Sequence, residues 1–212
     1  MDTSSEDGRL VVYADYVCPF CYLGKRSLER YLDSREREGE LDVAWHPFDL
    51  RRGKRRADGS IDHGVEDGKD EAYFEGAKQN VRRLQERYDV EMAQELAVEV
   101  DSLPAQLVSL YVSETHPEQW PAFDDAVYDA LWQDGRDIGE TDTLLDLAES
   151  VGLSGDEIRD VLADEAHRTR LEEAFTEAAE VGITGVPTFV YEGYAARGAV
   201  PPAQLERLVD GV

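Results

Sequence analysis

Residues 10–21 read LVVYADYVCPFC, and this stretch combines an apolar run with the two cysteines of the chain. Residues 9–14 contain apolar side chains without polar alternation, which is typical of a strand covered on both faces of a sheet. From Cys18 onward the apolar positions recur at helical spacing, with a predicted stop before Gly39. Residues 41–46 then alternate apolar and polar side chains, which predicts a second strand. The order strand, helix, strand indicates a parallel βαβ unit.

The middle of the chain has helical periodicity after an irregular loop. Residues 51–70 are rich in Arg, Gly and Asp and have no apolar repeat, so we predict a loop and a domain boundary there. Ser154 is followed three residues later by Glu157, which predicts a capping box at the start of the last long helix. Five helical segments are predicted, at residues 70–88, 102–115, 118–134, 141–151 and 155–180.

The C-terminal segment changes from helical to strand periodicity. Residues 188–191 and 194–199 are predicted strands joined by a two-residue turn, and a short helix is predicted from Pro201. The chain therefore predicts an α/β fold in which a βαβ unit and a ββα unit flank a large all-helical insertion. One domain is placed at residues 1–62 and 182–212, and the helical insertion domain at residues 63–181.

The chain of 212 residues is strongly acidic. Its 22 basic and 47 acidic residues give a formal net charge of −25. Nucleic acids and anionic membranes are themselves negative, so we expect neither as a partner. Nearly all basic residues are Arg, which is typical of a halophile, because molar salt screens the self-repulsion of such a surface. An ordinary acidic bacterial protein is the alternative.

The sequence also predicts the compartment in which the protein is located. The first residues, MDTSSEDG, lack the basic region and the apolar stretch of a secretory signal. Apolar runs stay well short of the ~20 residues that a membrane span needs. With two cysteines, no disulfide framework holds the fold, and any cysteine chemistry must use this one pair. We therefore expect a cytoplasmic protein, either a monomer or a homodimer.

Cys18 and Cys21 are separated so that both sulfurs fall in the first turn of one helix. Unpaired N–H groups at a helix start favour a thiolate over a thiol, and the thiolate is the form that attacks disulfides. We therefore predict Cys18 as the nucleophile and Cys21, one turn further and facing the core, as the thiol that resolves a mixed disulfide. Pro19 stiffens this turn, and Phe20 is predicted to be exposed and to contact substrate.

Two other roles of the cysteine pair compete with this chemistry. A buried structural pair is less favoured, because the cysteines lie at a strand-to-helix junction rather than within an apolar stripe. A zinc site needs four ligands, and the histidines of the chain show no paired spacing. We therefore predict neither a metal nor a bound cofactor.

Three segments together resemble the DsbA-like thioredoxin-fold proteins, and specifically their FrnE-like branch. They are residues 13–25 (YADYVCPFCYLGK), residues 182–189 (GITGVPTF) and residues 197–199 (RGA). The similarity extends over nearly the whole chain, including the helical insertion. It implies a thioredoxin fold and a dithiol–disulfide oxidoreductase, whose partners are thiol- or disulfide-bearing proteins or a low-molecular-weight thiol.

The resemblance also implies roles for individual residues. Cys18 matches the exposed nucleophile, and Cys21 matches the resolving cysteine. Pro187 matches a proline whose preceding peptide bond is cis. Such a bond would bring its loop against the Cys18 sulfur and leave the backbone of Val186, together with Thr188, to bind an extended substrate peptide.

The chain departs from the family at three positions. Phe20 stands where DsbA enzymes have histidine, so no imidazolium supports the thiolate and we expect a weaker oxidant than the secreted DsbA enzymes. Val12 stands where many thioredoxins carry a buried acid. Asp15 is the nearest substitute, and it either relays a proton near the cysteines or stabilises the turn. Gln106, in the polar helix start at residues 101–106, stands where a histidine is common.

Two other functions remain open at this point. The 2-hydroxychromene-2-carboxylate isomerases and kappa-class glutathione transferases share the insertion but have serine in place of the first cysteine. That serine binds a thiol cofactor without exchanging disulfides. The presence of both Cys18 and Cys21 favours redox chemistry, with a thiol-cofactor-dependent isomerase or transferase as the alternative. A noncatalytic adaptor that uses the fold to hold partners is the third hypothesis.

Two further groups of residues have a functional and a structural interpretation. The basic run at residues 51–56 either holds an anionic substrate or, as we favour, forms local ion pairs in a solvated loop. Four aromatic residues of the insertion either line a groove beside Cys18 or, as we favour, pack in the core. These are Trp120, Phe123, Tyr128 and Trp132.

Overall fold

The structure, a computed structural model, describes residues 8–35, 41–65 and 68–211. Its first elements are strand β1 (Arg9–Ala14), helix α1 (Pro19–Ser34) and strand β2 (Asp42–Pro47). β1 and β2 are parallel, so the predicted βαβ unit is confirmed. The predicted end of this helix before Gly39 is confirmed, because α1 ends at Ser34 and Arg35 has an extended backbone; Gly39 itself lies outside the described residues.

The C-terminal unit consists of strands β3 (Thr188–Tyr191) and β4 (Tyr194–Arg197) and helix α8 (Pro202–Asp210). β3 is antiparallel to both β1 and β4, and the sheet order is β2-β1-β3-β4. The two turn residues between β3 and β4 both have positive φ, as a tight hairpin turn requires. The predicted ββα unit is therefore confirmed, and β1 lies in the middle of the sheet as its apolar run indicates.

In the described part of the chain, six α-helices lie between β2 and β3. Two of them, α3 (Leu103–Thr115) and α7 (Glu165–Glu180), pack against β2, and α4 (Trp120–Trp132) packs against α1. The helical segment is thus built onto the sheet unit through several contacts, and the domain boundaries after residues 62 and 181 stay a prediction. The helices are α2 (Glu71–Tyr88), α3 (Leu103–Thr115), α4 (Trp120–Trp132), α5 (Thr141–Ser150), α6 (Gly155–Ala163) and α7 (Glu165–Glu180).

The prediction of one continuous helix over residues 155–180 is wrong. Asp164 separates α6 from α7, because its backbone is extended, with φ −90° and ψ 121°. Its carboxylate accepts a hydrogen bond from the Ala166 N–H at 2.9 Å and so caps α7. The apolar periodicity continues through the break, with Ile158, Val161, Leu171 and Phe175 all buried, which is why the pattern did not reveal it.

The predicted capping box at the start of α6 forms only in part. The Ser154 hydroxyl accepts a hydrogen bond from the Glu157 N–H at 3.4 Å. The Glu157 carboxylate instead accepts hydrogen bonds from Tyr111 and His116, at 2.5 and 2.8 Å. Glu157 therefore ties α6 to the C-terminal end of α3 rather than completing the cap.

The main hydrophobic core forms where α4 packs against the junction between β1 and α1. Tyr16, Cys18, Cys21 and Tyr22 from the junction share this cluster with the aromatic residues of α4. Trp132 is fully buried, and its indole N–H donates to the Tyr16 carbonyl at 2.9 Å. Large aromatic side chains contribute most to such a core, so the insertion holds the cysteine-bearing turn in place.

A buried polar network reinforces the same contact. The Tyr16 hydroxyl donates to Asp124 of α4 at 2.8 Å and lies 2.6 Å from the Ser109 hydroxyl of α3. Lys25 of α1 forms ion pairs with Asp124 and Asp125, both at 2.8 Å. Because Asp124 is only 3% exposed, its charge requires this pairing. The first two turns of α1 are thereby attached to the helical segment.

Candidate active site

The cysteine-bearing turn is defined by backbone hydrogen bonds. Cys18 immediately precedes α1 and has an extended backbone, while Pro19 takes the first helical position, where its missing N–H needs no partner. The Cys18 N–H donates to the Asp15 carbonyl at 3.1 Å. The Cys18 carbonyl accepts from the N–H groups of Cys21 and Tyr22, at 3.0 and 3.3 Å. The predicted placement of the two thiols in one helical turn is thus found.

Both cysteines are free thiols and both are buried. Cys21 is 2% exposed, as expected for a residue that faces the core. Cys18, which matches an exposed residue in the resemblance, is only 3% exposed in this reduced form. The expectation of an exposed Cys18 is therefore corrected, because the Val186 loop and the α4 aromatic residues cover it.

Burial raises the pKa of the Cys21 thiol well above its ordinary value. A hydrogen bond with Cys18 and the charge on Cys18 raise it further, and a backbone hydrogen bond from Asp15 partly offsets these effects. Cys21 is therefore held as a neutral thiol. A reaction in which Cys21 attacks as a thiolate needs a neighbouring proton acceptor.

The loop before β3 lies directly against the first cysteine. The peptide bond between Val186 and Pro187 is cis. The Cys18 Sγ lies 3.7 Å from the Val186 carbonyl oxygen, at which its S–H points as a hydrogen-bond donor. The Pro187 carbonyl accepts from the Gly198 N–H at 2.8 Å, which attaches the loop to the residue after β4.

Thr188 has a different environment from the one expected of a substrate-binding residue. It is 1% exposed, and its hydroxyl donates to the Gly185 carbonyl at 2.7 Å. In the sheet it pairs with Tyr13 of β1 on one side and with Arg197 of β4 on the other. Thr188 therefore stabilises the loop from inside, and Val186 is the residue of this loop whose backbone faces Cys18.

Phe20 is half-buried, so the prediction of an exposed side chain is wrong. It packs against the cluster that α1 shares with α2, formed by Leu23, Val81, Leu84 and Tyr88. Helix α2 covers this side of α1, and the apolar periodicity of α2 did not reveal which element it would cover. Pro19 is itself buried beside it.

Asp15 is completely buried next to the cysteines. Its carboxylate accepts hydrogen bonds from the Val17 N–H at 3.2 Å, the Leu50 N–H at 2.9 Å and the Ser102 hydroxyl at 2.6 Å. Burial raises the pKa of Asp15 to about 6, although the hydrogen bonds from Ser102 and Leu50 counteract the effect. Asp15 thus stabilises the turn and also titrates close to neutral pH.

Ser102, which was not among the predicted site residues, is 1% exposed and contacts the Asp15 carboxylate. Gln106, whose catalytic role the sequence left in doubt, is fully buried beside it, and its side-chain NH2 donates to the Ser102 hydroxyl at 3.1 Å. The polar residues at 101–106 indicated the start of a helix. Only the fold shows that this helix, α3, begins against the turn that contains Asp15.

The basic run is not a uniformly solvated loop. Arg55 is largely buried and forms ion pairs with Asp49 at 2.6 Å and with Asp101 at 2.9 Å. Arg56 forms the predicted kind of local pair, with Asp62 at 3.1 Å. The prediction of ion pairing is therefore confirmed, whereas part of the run joins the loop to the start of α3.

The aromatic residues of α4 pack as the favoured interpretation predicts. Phe123, Tyr128 and Trp132 are almost fully buried, and Trp120 is partly buried against the same cluster. Burial, together with the charges of the nearby cysteines, raises the pKa of Tyr128 well above its ordinary value. These side chains form the wall behind the cysteines rather than an open groove.

Residues 8–35, 41–65 and 68–211 also bear on two other functions, metal binding and membrane insertion. No group of three or more His, Cys, Asp and Glu side chains in these ranges is arranged to hold a metal ion. Among the helices that they contain, none has both the length and the apolar character needed to cross a membrane.

The arrangement supports one kind of chemistry in particular. A thiol stands at the start of a helix, a second thiol follows within one turn, and the buried Asp15 carboxylate is close enough for its charge to raise the pKa of the second. Such a set can form and break a sulfur–sulfur bond and can take up the proton released in the process.

Gly24 allows α1 to approach the Pro187 loop, so a side chain at this position should disturb the site. A Cβ there would lie 3.1 Å from Pro187 Cγ and 3.3 Å from Phe189 Cζ. We predict that Gly24→Ala lowers the free energy of unfolding, by about 1–3 kcal/mol. Gly76→Ala, on the open face of α2, is the matched control and should raise it by roughly 0.5–1 kcal/mol. Denaturant unfolding measures both, and equal stabilisation by the two substitutions would contradict the close packing.

The raised pKa of Asp15 has a consequence for stability. Because the folded protein binds the proton of Asp15 more tightly than the unfolded chain, the stabilising contribution is complete below the ordinary Asp pKa of 3.8 and is lost as pH rises through about 6. The free energy of unfolding of the wild type, relative to Asp15→Asn, should therefore fall by up to about 3 kcal/mol across this interval. Denaturant titrations at successive pH values measure the difference, and a difference independent of pH would refute the assignment.

Comparison with known proteins agrees with this geometry. Residues 9–210 match the DSBA-like thioredoxin domain. The uncharacterised protein YwbO of Bacillus subtilis (strain 168) is 28% identical over 209 residues, which cover 93% of this chain and 94% of YwbO.

Two solved structures share the fold. The "probable DsbA oxidoreductase SCO1869" of Streptomyces coelicolor has a TM-score of 0.75 at 24% identity, over 96% of this chain and 88% of that one. A 2-hydroxychromene-2-carboxylate isomerase has a TM-score of 0.73 at 21% identity, over 95% of this chain and 93% of that one.

The family match covers nearly the whole chain and confirms the predicted thioredoxin fold. The assignment to the FrnE-like branch and the halophilic origin stay predictions. The chain belongs to the family of DSBA-like thioredoxin domains.

Proposed function

We propose that this protein is a thiol–disulfide oxidoreductase that works through Cys18 and Cys21. The observation that carries the proposal is the placement of two free thiols in the first turn of α1, with the Val186 carbonyl against the first. The substrate is a disulfide-bearing protein or small molecule. The site we propose consists of Cys18 and Cys21, with Pro19, Phe20, Pro187 and Asp15 as supporting residues.

In the first step, the Cys18 thiolate attacks one sulfur of the substrate disulfide. A bond forms between Cys18 and that sulfur, the substrate disulfide breaks, and the other substrate sulfur leaves as a thiolate. The N-terminus of α1 favours the negative charge on Cys18 before the attack. The product is a mixed disulfide between enzyme and substrate.

In the second step, Cys21 resolves the mixed disulfide. Its proton passes to the Asp15 carboxylate, because the buried Cys21 would otherwise remain a thiol. The Cys21 thiolate then attacks the Cys18 sulfur, the Cys18–Cys21 bond forms, and the remaining substrate sulfur leaves as a thiolate. The substrate has gained two electrons and the cysteine pair has lost two.

A low-molecular-weight thiol, at two molecules per cycle, returns the pair to the dithiol form. A reducing cytoplasm, the location we propose, favours this direction of electron flow. In the reverse direction, a substrate thiolate attacks the Cys18 sulfur of the Cys18–Cys21 disulfide and Cys21 leaves as a thiolate. A second substrate thiolate then attacks the substrate sulfur of the mixed disulfide, so the substrate leaves as a disulfide and Cys18 as a thiolate. No metal or bound cofactor enters either direction.

Val186 supplies the backbone contact that we propose for the substrate. In the reduced protein its carbonyl faces the Cys18 thiol. Once Cys18 is part of a mixed disulfide it no longer has a proton to donate, so this carbonyl becomes available to a substrate N–H. An extended peptide bound through its backbone suits an enzyme that accepts more than one sequence.

Substitution of each cysteine separates the two steps. With a glutathione-linked peptide disulfide as substrate, Cys21→Ser should accumulate one mixed disulfide per chain at Cys18, because nothing resolves it. Cys18→Ser should form none. Both variants should turn over at less than about a hundredth of the wild-type rate. Intact-protein mass spectrometry and a coupled turnover assay measure these quantities, in dilute buffer and in molar salt.

Other outcomes point to the competing functions. The likeness to an isomerase fold makes a thiol-cofactor-dependent isomerase or transferase the second candidate. Isomerase or transferase turnover that requires a thiol and survives in Cys21→Ser would support this second candidate and overturn ours. Partner binding without any turnover in the wild type would instead indicate an adaptor.

A further inference from the structure

A directed chain of buried hydrogen bonds runs from the loop after β2 to Asp15. The Phe48 N–H is shared between the Ala14 carbonyl at 3.0 Å and the Gln106 side-chain carbonyl at 3.2 Å, and the Gln106 NH2 donates to the Ser102 hydroxyl at 3.1 Å. The Ser102 hydroxyl donates to the Asp15 carboxylate at 2.6 Å. Asp15, Ser102 and Gln106 are at most 1% exposed, so bulk water does not compete for these bonds.

The direction of each bond follows from the donors available. A backbone N–H can only donate, so the Gln106 atom facing Phe48 is the carbonyl oxygen, and its NH2 points at Ser102. The Ser102 oxygen therefore accepts from Gln106, and its single proton is left for Asp15. Gln106 thus orients the Ser102 hydroxyl as a permanent donor to the carboxylate.

The Ser102 side chain does not cap its own helix and instead donates to Asp15. It stands at the N-cap of α3, where a serine side chain ordinarily accepts a hydrogen bond from the first turn of its helix. Here the hydroxyl is directed at Asp15, and the Asp101 carboxylate accepts from the Leu103 N–H at 3.0 Å instead. Capping by Asp101 leaves Ser102 to the site.

We propose that Ser102 and Gln106 are positioning residues that hold Asp15 in its charged form, ready to accept the proton of Cys21. The inference rests on the proposed function and extends it to the helical segment. A hydrogen bond donated to a carboxylate favours the charged form, and in a buried site this effect is large. Without the donor from α3, burial would leave Asp15 protonated over more of the neutral range and unable to accept.

Other charged groups also face Asp15. The negative charge of Asp49 disfavours the charged form of Asp15, whereas the positive charge of the Arg51 guanidinium favours it. Cys21 is the third titratable group, and each negative charge disfavours the other. Asp49 is already paired with Arg55, so the neutral donor on α3 is the contact that can be removed without changing the charge of the site.

The test follows the second step alone as a function of pH. The Cys18–glutathione mixed disulfide is prepared with glutathione disulfide at low pH, the pH is jumped to values between 5 and 8, and acid-quenched samples are analysed for the Cys18–Cys21 disulfide. The wild-type rate should rise through a midpoint near the Asp15 pKa of about 6. Ser102→Ala removes the donor, so its midpoint should move up by about one pH unit, and its rate at pH 6 should be roughly fivefold lower.

Three further single variants and one double variant make the result specific. Gln106→Leu should move the midpoint in the same direction, because the Ser102 hydroxyl is then free to turn away. Ser109→Ala is the matched control: Ser109 is an equally buried serine of α3 that is bonded to Tyr16 and Trp120, and its loss should leave the midpoint unchanged. Asp15→Asn should abolish the rise of the rate near pH 6. Adding Ser102→Ala to Asp15→Asn should not change the pH dependence any further.

The outcomes separate the two levels of the proposal. Failure of the wild type to form the Cys18–Cys21 disulfide at any pH overturns the proposed function itself. A disulfide that forms with the same midpoint in Ser102→Ala and in Gln106→Leu as in the wild type overturns only the role of the α3 residues. An equal shift of the midpoint in Ser109→Ala would show a general effect of α3 packing and would also overturn the proposed role of Ser102 and Gln106.

Discussion

The packing of the helical segment against the junction between β1 and α1 is the contact on which the site depends. Tyr16, Cys18 and Cys21 share one core with the aromatic residues of α4, and the Trp132 indole donates to the backbone beside the cysteines. The insertion is therefore part of the site's construction. It supplies the wall behind the thiols, and through α3 it supplies the hydroxyl that contacts Asp15.

Specific partners explain how a very acidic protein keeps charged groups in its interior. The chain has a net charge of −25, yet the buried carboxylates have specific partners. Asp124 is paired with Lys25, Asp49 with Arg55, and Asp15 accepts three hydrogen bonds. Burial of an unpaired carboxylate is unfavourable, so each of these partners is needed for the fold. Asp15 differs because its partners are neutral donors, which leaves it able to titrate near neutral pH.

Most of the fold was predictable because its signals are local. The apolar run of β1, the helix start at Cys18 and the hairpin turn each depend on a few neighbouring residues, and all three are found. The break at Asp164 was missed because both helices keep one apolar period through it. The burial of Phe20 and Cys18, and the contact of Ser102 with Asp15, involve partners far away in the chain, which no local pattern encodes.

The central claim is that Cys18 and Cys21 form a reversible disulfide, and a redox equilibrium tests it most directly. The protein is equilibrated in molar salt with thiol–disulfide buffers of graded potential, and the fraction of disulfide is measured after alkylation of the free thiols. The account predicts one two-electron transition, with a tenfold change in the ratio of oxidised to reduced protein for about every 30 mV. Thiols that remain unpaired at every potential would contradict it.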